Sequence, residues 1–212
     1  MKAKNKVSGS SDSRFIHLKG KERDERRKLI LESARDLFAR KDFLKVNVRE
    51  IAKAAGVSVG TIYNYYSDLD ELFLELFLKS AEEIIQILDR ENREDSPSFE
   101  RSCKIYISYL NENMTFYQMM GHFMLGGELS SGSTEKLNHM MRKLMDRIEG
   151  SVRANGIQKD ARLVSHALFS ALNGIMISYA RYPGRNPEEI RRHTLQLAGI
   201  IANIFEEKSN GA

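Results

Sequence analysis

The sequence is short of cysteine and proline, and it has no long apolar run: one Cys and three Pro occur in 212 residues. A lone Cys103 excludes an internal disulfide and fits a reducing compartment. Few prolines, with almost no period-two alternation of β-branched residues, leave little room for sheet. Metal-site spacings are missing too. His17, His122, His139, His166 and His193 include no i,i+4 pair, and one cysteine cannot make a CxxC. No phosphate loop or nucleophile elbow occurs, and Cys103 has no histidine close to it in sequence. The reading is of a protein that is not an enzyme, with no cofactor and no metal. The basic start, Met1 to Lys6, is not followed by an apolar run, so no secretory signal is expected. The most apolar window, Leu163 to Ala180, carries Ser165, His166, Ser170, Asn173 and Ser178. Five polar residues in 18 suit a buried helix better than a membrane span. A cytoplasmic protein with no membrane partner is expected.

Charge is plentiful, and it is unevenly placed. Residues 1–66 hold 16 Lys+Arg against 8 Asp+Glu, a net +8, while residues 67–212 hold 17 against 21, a net −4. A basic first third on an acidic remainder points to a polyanion-binding segment and a body that does not bind one. The split alone does not distinguish DNA, RNA and an anionic membrane.

Helical periods run through the chain. Residues 1–20 hold five cations and Ser8-Gly-Ser-Ser-Asp-Ser13 with little to bury, and read as a flexible basic arm. A helix is predicted from about Asp24 to Lys41, because Ile30, Ala34, Leu37 and Phe38 fall on one face. Asn47 with Glu50 makes a capping box for a short helix, about Val48 to Ala55, which Gly56 ends. Ser58 caps a second short helix to Tyr65. Asp68 with Glu71 opens a long one to about Asp89. A polar break follows at residues 93–98, with Pro97 suited to a first helical position. Further helices are predicted over 99–113, 115–125, 134–154 and 159–181. Asn186-Pro-Glu-Glu189 combines an N-cap, a proline at N1 and a Glu at N3, and starts the last helix, to about Glu207. The expectation is an all-α chain of about nine helices without internal repeats: a 1–20 arm, a basic 21–68 helical domain and a larger 69–212 helical domain.

Val48 to Tyr66 carries the function. Two short helices joined by a glycine-containing turn make a helix-turn-helix. Ala52 is small where the helices would cross, and Gly56 lets the chain turn. Ile51, Val57 and Ile62 would hold the pair on the first helix. The second helix begins with small residues, so its N-terminal N–H groups can approach a groove and phosphate oxygens.

Residues 30–77 resemble the DNA-binding domain of the TetR family of bacterial transcription regulators. The likeness lies in Ile30-Leu-Glu-Ser-Ala-Arg-Asp-Leu-Phe38, Ile51-Ala52 and Ala55-Gly-Val-Ser58. It continues in Gly60-Thr-Ile-Tyr63, Tyr65-Tyr66 and Glu71-Leu-Phe73. It implies an N-terminal three-helix DNA-binding domain followed by a helical domain that binds an effector and dimerises. It also implies a repressor that leaves DNA when a small molecule binds. Ser58, Val59, Gly60, Thr61 and Asn64 then belong to the recognition helix in the major groove, where Thr61 offers a methyl to a thymine. Tyr63, Tyr65 and Asn47 match phosphate-contacting positions, and Lys53 adds charge. Tyr66 takes the place of a buried aromatic. Three positions depart from the family pattern: Val59 and Leu69 stand where Lys is common, and Asp42 where glycine is usual. Two missing cations weaken nonspecific affinity and its salt dependence. The arm, with Lys2, Lys4, Lys6, Arg14, Lys19 and Lys21, either replaces part of that charge or is a solvated tail.

The second domain is rich in soft and aromatic side chains. Tyr106, Tyr109, Phe116, Tyr117, Met120, Phe123, Met145, Phe169 and Met176 either line a pocket for an apolar or aromatic effector or make a Met-rich core. His122 and Asn173 are either polar handles in that pocket or hydrogen-bonded core residues. Ile190, Thr194, Leu197, Ala198, Ile201 and Ile204 form one stripe on the last helix, with Leu195 and Ile200 apolar elsewhere. A helix apolar on more than one side is covered twice, once by its domain and once by a partner. Ala171 and Gly174 would allow close approach in the preceding helix. The expected partners are double-stranded operator DNA, a small apolar or aromatic effector and a second copy of the chain. The alternative is a ligand-independent architectural or co-regulatory DNA binder of the same fold.

Overall fold

A computed structural model describes residues 9–91, 98–126 and 129–210, with 9–16, 43 and 207–210 described through their backbone alone. Among the described residues there are nine α-helices and no strand. The chain divides between Leu72 and Phe73 into two compact units, rather than at the expected 68/69 boundary.

The first unit contains α1 (Gly9–Phe38), a 3-10 turn (Phe43–Lys45), α2 (Val48–Ala54), α3 (Val59–Tyr63) and the start of α4 (Leu69–Glu91). Its core is Ile30, Leu31, Ala34 and Phe38 from α1, with Val46, Ile51, Ala52, Ala55, Ile62 and Tyr66. The expected α1 stripe holds except for Leu37, which is half-buried, while Leu31 turns inward. One correction concerns this helix. It begins at Gly9 rather than near Asp24, so the second half of the expected arm has helical backbone. Sequence patterning missed it because residues 17–29 are all exposed and carry no apolar stripe. Residues 1–8, with Lys2, Lys4 and Lys6, lie outside the described residues.

The turns follow local chemistry. Asn47 accepts from Glu50 N (3.1 Å), and Glu50 Oε2 accepts from Asn47 N (3.1 Å), a complete capping box. After α2, Val57 N–H donates to Ala52 O (2.9 Å) and Gly56 N–H to Lys53 O (3.3 Å). This Schellman pattern needs a left-handed residue, and Gly56 supplies it with φ 64°. Asp42 keeps negative φ, so no glycine is required there. Its carboxylate instead accepts from Leu44 N–H (3.2 Å) and shapes the 3-10 turn. At α4, Asp68 caps Glu71 N–H (2.8 Å), but Glu71 reaches back to Ser67 N–H (2.8 Å), one residue before the expected partner.

The second unit continues α4 and adds α5 (Phe99–Glu112), α6 (Met114–Leu125), α7 (Ser131–Ala154), α8 (Ala161–Tyr179) and α9 (Pro187–Asn210). Helix α5 packs against α9, α8 and α6, and α8 packs against α7 and α9. The α9 start is the capping box foreseen: Glu189 N–H donates to Asn186 Oδ1 (2.9 Å), and Asn186 N–H donates to Glu189 Oε2 (3.0 Å). Ser98 caps α5, whose first residue is Phe99; Pro97, expected at a first helical position, lies outside the described residues. Helix α7 starts at Ser131 because Ser130 caps it, within the stretch expected as loop.

Small residues bring α9 close to α5. A Cβ on Gly199 would stand 2.9 Å from Glu100 Oε1, and Thr194 Oγ1 accepts from Asn111 Nδ2 at 2.9 Å. Thr194 and Ala198 are wholly covered within the chain. Both were expected on a partner-facing stripe, and both instead point inward, because α5 takes the face they share.

The Gly56 turn can be tested by Gly56→Ala. No atom lies within 4 Å of the added Cβ, so the cost is the left-handed φ alone. About 1–2 kcal/mol of stability should be lost, read as a lowered urea midpoint with unchanged slope.

Candidate nucleic-acid interface

Helices α2 and α3 are seven and five residues long, too short to persist unaided. Their apolar residues Ile51, Ala52 and Ile62 are inside, and the remaining side chains are presented outward. Asn47, Lys53, Ser58, Gly60, Tyr63 and Asn64 are exposed, and Val59, Thr61 and Tyr65 are half-buried. All nine residues expected at the interface therefore retain accessible surface on the same pair of helices or their caps. Tyr63 is 54% exposed and Tyr66 1%, which separates the outward ring from the core ring.

Several of these groups also build the helices. Ser58 Oγ accepts from Thr61 N–H (3.0 Å) and hydrogen-bonds Thr61 Oγ1 (2.9 Å). The Thr61 hydroxyl thus serves the cap. Asn47 Oδ1 likewise accepts from Arg49 and Glu50 N–H (3.0 and 3.1 Å) at the start of α2. Lys41 pairs with Glu50 at 2.7 Å. That hydrogen bond, and the one from Asn47 N–H, hold the Glu50 carboxyl below its ordinary value. Two arginines of α1 reach the end of the motif. The Arg23 guanidinium lies 5.7 Å from the Tyr65 ring centroid, and Arg27 lies 5.8 Å from that of Tyr66. Sequence reasoning missed both, because neither pair is close along the chain.

In the second unit the expected pocket residues separate into two groups. Phe116 stacks on Phe77 (5.0 Å) and meets Tyr109 edge-on (5.6 Å), and Phe123 meets Phe77 edge-on (5.6 Å). With buried Met120, Met145 and Met176 these are packed core. His122 is half-buried against Phe123 (5.2 Å). Tyr106 and Phe169 instead line an apolar cavity of ≈ 40 Å³, with Leu88, Cys103, Leu168 and Leu172. These last four were not foreseen; they come from three helices, and only packing brings them together. Asn173 is buried and tied on three sides. It accepts from Tyr106 Oη (3.2 Å), donates to Phe169 O (2.8 Å), and its carbonyl accepts from Tyr117 Oη (3.3 Å). Burial pushes the Tyr106 hydroxyl up, and it pushes the Cys103 thiol up to about 12, so both stay protonated at neutral pH. An adjoining recess of ≈ 320 Å³ shares Phe99, Ser102, Arg147 and Ser151 with the cavity, and Arg147 pairs there with Asp89 (3.1 Å).

Apolar surface remains on α8 and α9. Leu163, Ile177, Ile200 and Ile204 are 50–79% exposed, while Ala171, Gly174, Ile190, Leu197 and Ile201 are half-buried. Among the described residues no helix is long and apolar enough to cross a membrane.

Two capped helices set on a longer one, with a left-handed turn between them, define a helix-turn-helix protein. Residues 30–76 match the family described as bacterial regulatory proteins, tetR family. The chain is 26% identical over 138 residues to the HTH-type transcriptional regulator YhgD of Bacillus subtilis (strain 168), covering 65% of this chain and 72% of the other. It is 21% identical over 159 residues to the fatty acid metabolism regulator protein of the same organism, covering 68% and 78%. Its fold is similar to that of the fatty acid degradation regulator FadR from Bacillus halodurans, with TM-score 0.59, 18% identity, and 81% and 93% of the two chains covered. The match places the helix-turn-helix of residues 30–76 with the tetR family of bacterial regulatory proteins, and the chain is similar to HTH-type transcriptional regulators.

The outward and inward tyrosines should separate binding from folding. Tyr63→Phe should leave the melting temperature unchanged and weaken duplex binding by about 1 kcal/mol, the worth of one hydrogen bond, in a fluorescence-anisotropy titration. Tyr66→Ala should instead cost about 3–5 kcal/mol of stability.

Proposed function

We propose that the protein is a homodimeric repressor that holds a palindromic operator and leaves it when a small lipophilic effector binds the second unit. The observation that carries the DNA-binding side is the capped, outward-facing α3, with Ser58, Gly60, Tyr63 and Asn64 exposed. In this reading Gly60 and Thr61 enter the major groove, and Asn47, Tyr63 and Tyr65 take phosphates. Lys53 adds charge.

Dimerisation is supported by the apolar surface left on α8 and α9, where Ile177 is 79% exposed and Ile200 56%. Exposed aliphatic side chains on adjacent helices are a cost in water that a two-fold partner removes. Ile177→Glu with Ile200→Glu should give a monomer of unchanged helicity by sedimentation velocity. A dimer persisting in that variant would place the interface elsewhere.

The lipophilic effector is supported by the apolar cavity beside Tyr106 and Phe169, and by two similar proteins whose names refer to fatty acids. At ≈ 40 Å³ the cavity has room for roughly three waters. An effector must therefore select an expanded state, and that preference is what would shift the DNA-binding equilibrium. The same small volume favours the second reading, a ligand-independent DNA binder. Selection of duplexes from a random pool, followed by titration of the complex with fatty acids of increasing chain length, separates the two. A palindromic consensus with half-sites about one helical turn apart, released by a lipid, supports the sensor. Selective binding that no lipid disturbs supports the second reading, and absence of any selective sequence overturns both.

A further inference from the structure

We propose that the N-terminal extension of α1 is a second phosphate-binding surface, on which Lys19 and Arg23 grip the backbone of the same duplex that α3 enters. The inference rests on the DNA-binding reading and adds to it residues outside the family match, which begins at Ile30.

Helix α1 starts at Gly9, and every residue from His17 to Leu29 is exposed. A helix segment with no buried face draws nothing from the core. Its charges, however, are sorted. Lys19, Arg23 and Arg27 recur at i,i+4 and share one face. That face continues into Ile30, Leu31 and Ala34, the residues that bury against the helix-turn-helix. Glu25 lies on the opposite side, while Glu22, three residues from Lys19, flanks the row and pairs with Arg26 at 2.6 Å. The core-facing stripe of α1 thus changes from apolar to cationic where it passes the end of the core.

The rings of Tyr65 and Tyr66 fix where this row points. Arg23 sits over Tyr65 and Arg27 over Tyr66. A guanidinium beside a ring is attracted to it by its charge, and its N–H groups are donors suited to a phosphate. Tyr65 lies in the stretch proposed to take phosphates, so a backbone that reaches it also meets Arg23, and Lys19 lies one turn further along the helix. The occupant is a polyanion by charge complementarity, and it compensates for Val59 and Leu69, where the interface lacks the cations common in the family.

The test uses the full chain and a short duplex of arbitrary sequence, with affinity measured across a range of salt concentrations. Each lost phosphate contact should lower the slope of log K against log salt by about 0.9. Lys19→Ala with Arg23→Ala should therefore flatten the slope by twice that amount. Alanine preserves the helix, which circular dichroism checks. Lys28→Ala removes one positive charge, half that of the double variant, from the other side of α1, where Lys28 pairs with Glu32 at 3.7 Å, and should leave the slope unchanged. Arg23→Lys should retain most of it. An unchanged slope in the double variant overturns the inference, and so does an equal fall per charge removed in Lys28→Ala, which would mean general charge rather than a surface. If the unaltered chain binds no duplex at low salt, the DNA-binding reading itself fails, and this inference fails with it.

Discussion

Two helices of seven and five residues must be held rigid enough to present a surface, and neither persists in water alone. Everything in the first unit follows from that constraint. Asn47 and Ser58 satisfy N–H groups that such short helices would otherwise leave open, and Gly56 reverses the chain between them at a φ that costs glycine little. The face of α1 with Ile30, Ala34 and Phe38 then supplies the apolar surface that Ile51, Ile62 and Tyr66 need. Once those residues are inside, the positions between them are outside. The interface is the complement of the core.

The same helix explains why the basic charge of the first third is not spread at random. Where α1 covers the core its inner face is aliphatic. Where it passes beyond the core, that face carries Lys19, Arg23 and Arg27. Tyrosine rings join the two regimes, because a ring can bury one edge and still accept a guanidinium on its face. In the second unit the corresponding constraint is close approach of α5 and α9. Ala198 and Gly199 allow it, and the hydrogen bond from Asn111 to Thr194 satisfies the polar pair so enclosed.

Legibility in the sequence followed the range of the interaction. The capping boxes at Asn47 and Asn186 and the stop at Gly56 were readable because each is complete within about four residues. The outward positions of α2 and α3 were readable because the helix-turn-helix is itself a local motif. The start of α1 was not, since residues 17–29 are exposed and carry no apolar stripe. The pocket was half readable. Tyr106 and Phe169 were anticipated, but Leu88, Cys103, Leu168 and Leu172 meet them only through packing of helices distant in sequence.

The sequence by itself therefore determined the helices, most of their ends, the turn and the outward face of α3, because caps, glycine φ and periodicity act over one or two turns of chain. Tertiary structure alone decided which of two apolar faces on α9 turns inward, taking Thr194 and Ala198 out of reach of any partner. It also decided that Phe77, Phe116 and Phe123 fill space rather than line it. It placed Arg23 on Tyr65 as well. Each of these depends on which surface arrives opposite, and no window of sequence contains both sides of that contact.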